Sequence, residues 1–268
     1  MVTQFRSLSR SKVCFPFGWR FALLATLFAL GLSSRVAAQS SEFYLNAVQV
    51  FLSPRQRTAL LTLTNTGQVP INFEISVRRW QQTADGQEEL TESDGNVVAF
   101  PVLLSVPPGE ERTLRVGARQ PATTQEQTYR LLVTELPPAN VLETQGAAIR
   151  IIKTFSLPVF VQPANIQRQG EILNGRVEGG KLSFVLRNKG NVHIQTLGIT
   201  VQGLNEQGTV VFERMLESVY VLADRDRPFR NIPLPQTNCA QVRQVKLQSV
   251  GTNPSLTTEI STPNGVCA

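Results

Sequence analysis

From about residue 43 onward the chain repeats short extended segments closed by turn signals, a rhythm that leaves room for little but sheets. "RTALLTLTNTG" sets Ala59, Leu61 and Leu63 on one side and ends on an Asn-Thr-Gly turn. "INFEISVRRW" turns Ile71, Phe73, Ile75 and Val77 one way and polar residues the other. Asp85-Gly86 marks a tight hairpin, Pro107-Pro108-Gly109 a further turn, and "TYRLLVTELPP" a strand stopped by two prolines. With "FYLNAVQVFL" before them and "AAIRIIKTFSLPVFVQP" after, about seven strands fall within residues 43–162. No stretch reads as an amphipathic helix. The spacing predicts an all-β fold: a sandwich of immunoglobulin type without the inter-sheet disulfide of antibody domains.

"QPANIQRQGEI" is polar and Pro-containing and reads as a linker. The rhythm then resumes. Leu182, Phe184 and Leu186 alternate in "GGKLSFVLRNKGN", and "HIQTLGITVQGLNEQG", "TVVFERMLESVYVL" and "QVRQVKLQSV" follow as strands. "DRDRPFRNIPLPQTN" reads as a charged loop. The expectation is a first domain over residues 39–163 and a second, smaller β-sandwich over 164–268. "LTNTGQVPINFEI" and "LRNKGNVHIQTLGI" share a strand, an Asn-x-Gly turn and a second strand, which points to a duplicated topology.

The first 38 residues stand apart. Arg6, Arg10, Lys12 and Arg20 come without an acid, "FALLATLFALGLSS" follows, and Val36 and Ala38 sit at the small-residue positions of a cleavage site. The apolar run is shorter than the roughly 20 residues a membrane span needs, so it reads as a secretory signal cut after Ala38. Removing its five bases leaves 21 bases against 20 acids. The sequence pI of 9.6 then belongs largely to the leader, and a nucleic-acid partner loses its support. Cys14 leaves with the leader. Cys239 and Cys267 remain, the arithmetic of one disulfide in an exported chain. It closes a loop of about 28 residues, worth roughly 3 kcal/mol in the chain-entropy view.

Catalytic chemistry is hard to assemble from these residues. His193 is the one histidine. One His and two distant Cys do not make a conventional zinc site, and no GxSxG elbow accompanies His193. "GGK" at 179–181 lacks the frame of a phosphate loop and precedes a strand. Glu88-Glu89 and Glu110-Glu111 fall in expected turns, where solvated loop charge is the plain reading. The expectation is a protein that is not an enzyme and holds no cofactor and no metal.

"LTNTGQVPINFEISVRRW", "FPVLLSVPPGEERTLRV", "TYRLLVTELPP" and "FSLPVFVQP", in this order, resemble the PapD-like periplasmic chaperones of the chaperone–usher pathway. The resemblance covers most of residues 43–165, and the ending "SLPVFVQP" looks like the archaic-type branch. It implies two immunoglobulin-like sandwiches set at an angle with a cleft between them. It also implies partners: newly exported pilus or fimbrial subunits, each lacking a strand, and an outer-membrane usher that receives them. In this family the chaperone lends its own last first-domain strand to complete the subunit.

That implication bears on "AAIRIIKTFSLPVFVQP". Ile149, Ile151, Phe155, Leu157, Val159 and Val161 share one face, interrupted only by Lys153. The later part reads as sandwich core. Ala147, Ile149, Ile151 and Lys153 read as the donor, preceded by the weakly apolar "PPANVLETQGA". Each Ile buried in a subunit contributes roughly 1.5–3 kcal/mol. The standard pattern of the family anchors a subunit's terminal carboxylate with an Arg and a Lys. Their places hold Gln49 and Pro158 here. Arg115 and Lys153 are the candidate replacements, with Arg55 and Arg78 behind them. An exported immunoglobulin-like adhesion or binding module is the alternative. Such a module places aromatic residues in loops at one end, and Trp80 and Phe100, read as strand ends, give it a slight hint.

Overall fold

The computed structural model describes residues 42–137, 152–253 and 255–268. Ten strands come first: β1 (Phe43–Leu45), β2 (Val50–Leu52), β3 (Thr58–Asn65), β4 (Ile71–Gln82), β5 (Glu88–Glu92), β6 (Val97–Phe100), β7 (Leu103–Val106), β8 (Glu111–Ala118), β9 (Gln127–Leu136) and β10 (Thr154–Val161). One sheet runs β1-β3-β8-β6; the other runs β2-β10-β9-β4-β5, with β7 also on β4. Alternation decides what lies between them. Leu61 and Leu63, Phe73 and Ile75, Leu114 and Val116, Leu131 and Val133 all point inward and are buried.

"FYLNAVQVFL" is two strands rather than one. A break after Leu45 sends β1 antiparallel onto β3 and β2 parallel onto β10, so one segment borders both sheets. The hairpin expected at Asp85-Gly86 joins β4 to β5, with Gly86 at φ 72°, a region glycine enters without strain.

The rest of the chain adds β11 (Gly170–Glu178), β12 (Lys181–Asn188), β13 (Ile194–Gln195), β14 (Gly198–Leu204), β15 (Val210–Leu216), β16 (Tyr220–Val221), β17 (Asp226–Pro233), β18 (Gln244–Val250) and β19 (Thr257–Ser261). They form sheets β11-β12-β17, β13-β16 and β15-β14-β18-β19. Leu182, Phe184, Leu186, Ile199, Val201, Val245 and Leu247 fill a second core.

Two sequence expectations change here. "TVVFERMLESVYVL" breaks into β15 and β16 around Ser218, whose hydroxyl donates to the Thr196 carbonyl at 2.5 Å. "DRDRPFRNIPLPQTN" is not a loop: Asp226–Pro233 is an edge strand, bonded only to β12 within its sheet. An edge tolerates Pro228 and Pro233, which bring no N–H to a ladder. Its charge is used locally. Arg187 grips Asp226 with two bonds of 2.8 and 2.7 Å and holds that carboxyl below its ordinary pKa. The Cys239–Cys267 disulfide is formed, its Cα atoms 5.0 Å apart.

The duplicated hairpin has a physical basis. Asn65 and Asn188 are both fully enclosed, at 0% and 1% exposure. Asn65 donates to the carbonyls of Val69 (2.8 Å) and Val106 (2.9 Å) and accepts from the Gly67 N–H (2.9 Å). Asn188 donates to Val192 (2.8 Å) and Val221 (3.0 Å) and accepts from Gly190 (2.8 Å).

Candidate functional site

β10 is where the two sheet edges, the two halves of the chain and the donor expectation meet. On one side it pairs with β9 along its whole length, Thr154 with Thr134 through Val161 with Gln127. On the other side β2 meets it only at Val159, Phe160 and Val161. β1, the next segment that might have covered it, has gone to the opposite sheet. Among the described residues, the edge of Thr154–Pro158 therefore has no strand neighbour on that side. Unpaired backbone groups on such an edge are a template for another strand.

The two faces of β10 have different work. Leu157, Val159 and Val161 enter the first core at 3% exposure or less. Phe155 continues that row at 38% exposure, its ring 5.0 Å from Phe43, which in turn meets Phe73 at 4.6 Å. Lys153 precedes the strand. Its carbonyl accepts the Glu135 N–H at 2.9 Å and its ammonium lies 5.9 Å from the Phe43 ring. Ala147, Ile149 and Ile151 lie outside the described residues.

The opposite face of β10 joins the two sandwiches. Phe160 is buried with Trp80 and Leu222 and lies 6.0 Å from Tyr220. Gln82 makes two bonds across the junction: its amide donates to the Tyr220 carbonyl and its oxygen accepts the Leu222 N–H, both at 2.8 Å. His193 stacks on Phe160 at 3.7 Å, and its Nδ1 lies 2.7 Å from Glu126 Oε2. That oxygen also accepts the His193 backbone N–H at 2.9 Å. Sequence reasoning set His193 aside as a turn residue. Its partners, Glu126 and Phe160, are far away in the chain and no local signal names them.

The remaining candidates scatter. Arg115 is exposed on the outer face of the four-stranded sheet, in register with Leu60 and Phe100. It does not converge with Lys153, which precedes β10 and has its ammonium by Phe43. Arg55 is exposed in the β2–β3 loop. Arg78 lies directly opposite Arg130, which in turn faces Pro158. Arg130 sits 3.9 Å over the Trp80 ring and binds Glu88 at 2.5 Å. Trp80 is not at a strand end: it lies inside β4, fully buried, and serves the junction. Phe100 does end its strand and is 74% exposed.

Residues 42–167 match the family model described as "Pili and flagellar-assembly chaperone, PapD N-terminal domain". This part of the chain carries a PapD-type chaperone domain. Its role is that of a chaperone in pilus assembly, and such chaperones are not enzymes. No curated protein matches the chain by sequence. Among solved structures, the chain is similar to one from a CsuC–CsuE chaperone–tip adhesion subunit pre-assembly complex of the archaic Csu pili of Acinetobacter baumannii. Identity is 18%, coverage 82% of this chain and 98% of that one, and the TM-score 0.54. The class 5 fimbriae chaperone CfaA gives 13%, 82%, 100% and 0.55. A chain from the Salmonella enterica SafA pilin–SafB chaperone complex gives 14%, 84%, 99% and 0.54. At these identities the likeness establishes the fold: two immunoglobulin-like sandwiches spanning the chaperone domain and the half that follows it. Among the described residues no helix is long and apolar enough to cross a membrane.

Proposed function

We propose that this protein works in the periplasm, where it captures a pilus or fimbrial subunit by lending it the segment Ala147, Ile149, Ile151 and Lys153. Residues 1–38 serve as the export signal, the sandwiches divide near residues 163 and 164, and the captured subunit passes to an outer-membrane usher. The archaic branch is the assignment favoured by "SLPVFVQP" and by the likeness to the Csu structure.

One observation carries the reading: the open edge of Thr154–Pro158, which the proposed donor residues directly precede in the sequence. An incoming strand gains main-chain bonds along that edge, and alternate side chains of the lent segment enter its groove. The far end of β10 stays held by β2 and by Phe160 while this happens. Lys153 is retained as a contact of the lent segment. Arg115, on the outer face of the other sheet, has no such position.

Co-expression with a candidate subunit, followed by co-purification of wild type and an Ile149→Asp/Ile151→Asp variant, tests this. A one-to-one complex lost in the variant is the expected result. A complex that survives means another surface binds, and no complex with a true cognate subunit moves the adhesion-module reading to the front.

A further inference from the structure

Glu126 holds the second sandwich with half of its carboxyl group. Oε2 meets the His193 backbone N–H at 2.9 Å and Nδ1 at 2.7 Å. Oε1 is buried and, among the described residues, has no hydrogen-bond partner. Trp80 Nε1 is placed alike: the indole is fully buried and its N–H reaches no acceptor among the described residues. An unpaired polar atom in the interior costs about 1–3 kcal/mol, and native folds seldom keep one without a partner.

Both residues line one hollow of about 80 Å³ between the two halves. Strand alternation puts Trp80, Gln82, Glu126 and Thr128 on the sheet face that meets the second sandwich. Leu222, Ala223 and Arg225 close the hollow from the other half. Arg79, also in the lining, has a buried unpaired Nη1 as a further donor. The lining limits what fits. A cation would meet Arg79 and Arg225, which are always charged. An anion could accept from the indole but has no hydrogen to give Oε1. An apolar group would leave both atoms unpaired. A neutral molecule able to donate and accept satisfies both. Water is that molecule at this size, since the hollow holds about two at roughly 30 Å³ each. Water bonds a carboxyl oxygen in either protonation state, so the fit does not depend on the charge of Glu126 or His193.

We propose that this hollow is a hydration site built into the junction, in which water accepts from Trp80 Nε1 and bonds Glu126 Oε1. The bridge completes the carboxyl group that holds His193, and so supports the contact between the sandwiches from inside. It involves no partner chain and does not rest on the function proposed above.

Water contacts of the Trp80 indole in the full chain test this by NMR, with Trp80→Phe identifying the signal. The expected result is a pair of Overhauser cross-peaks to water, opposite in sign between the laboratory and rotating frames. That pattern marks a long-lived neighbour rather than proton exchange, and its absence overturns the proposal. Glu126→Gln should keep the contact and Glu126→Met should lose it. A contact that persists in a folded Glu126→Met protein overturns the bridge. Thr128→Val should also keep it, because that hydroxyl already donates to the Trp80 carbonyl at 2.6 Å. Loss of the signal in a folded Thr128→Val protein would trace it to the hydroxyl and overturn the site. A sodium chloride titration separates water from an ion. The indole shift should stay constant, and a saturable change would put an ion in the hollow instead. If Glu126→Met does not fold, the wild-type cross-peaks and the titration still decide.

Discussion

Asn65 and Asn188 each do with one amide what a further strand residue would otherwise do: at a closed turn Asn65 satisfies three backbone groups and Asn188 four, the Leu222 carbonyl included. The Asn-x-Gly pattern was legible as a turn. The amide's second carbonyl was not, because Val106 and Val221 arrive from strands 41 and 33 residues away. Replacing either Asn by Ala leaves buried carbonyls unpaired and should cost about 2–4 kcal/mol in urea unfolding. Asp at the same place keeps the acceptor but loses both donated bonds. It should be no better than Ala; an Asp variant as stable as wild type would refute the donor role. Tyr129 offers a pH test. Burial, and next its hydroxyl bond to Asp94 at 3.0 Å, raise its pKa, although Arg79 opposes. Burial likewise raises Tyr220. A raised folded pKa means the neutral phenol is favoured in the fold. Its contribution is therefore complete below the ordinary tyrosine value of about 10 and is lost as pH rises through the folded value. Wild type should lose more stability as pH rises past about 10 than a Tyr129→Phe/Tyr220→Phe variant does, and parallel losses would contradict this.

At the scale of elements, alternation made the core strands legible and could not show which sheet a strand joins. β1 and β2 read as one apolar run because a change of sheet leaves no mark on a pattern of period two. β17 was read as a loop because its prolines and charges suit an edge as well as a turn. β10 was legible as a strand, but the point where its cover ends is set by β2, more than a hundred residues earlier. That point separates the covered from the open part of the strand's edge, between Pro158 and Val159. Ile151→Asp, placed before the edge, should abolish subunit capture and leave circular dichroism unchanged. Undiminished capture by a folded Ile151→Asp protein would remove Ile151 from the donor set.

For the whole molecule, the junction is the part that no sequence window contained. Trp80, Phe160, Tyr220, Gln82, Glu126 and His193 come from both halves, and each looks ordinary in its own segment. The cysteine pair, by contrast, was legible by count alone. It closes 28 residues within the second half, far from that junction in sequence. Reduction should lower the second half's melting transition in calorimetry, by the equivalent of roughly 3 kcal/mol. An unchanged transition after reduction would show the bond is not a stabilising element. The way β10 is held has a mechanical consequence. A pull along the strand from Thr154 loads all eight β9 pairings together, in shear, and reaches the parallel β2 clamp last. A pull away from the sheet peels the same pairings one by one. A partner removed by peeling can leave with little force, while one dragged lengthwise would sooner lose its own grip than draw β10 from the chaperone.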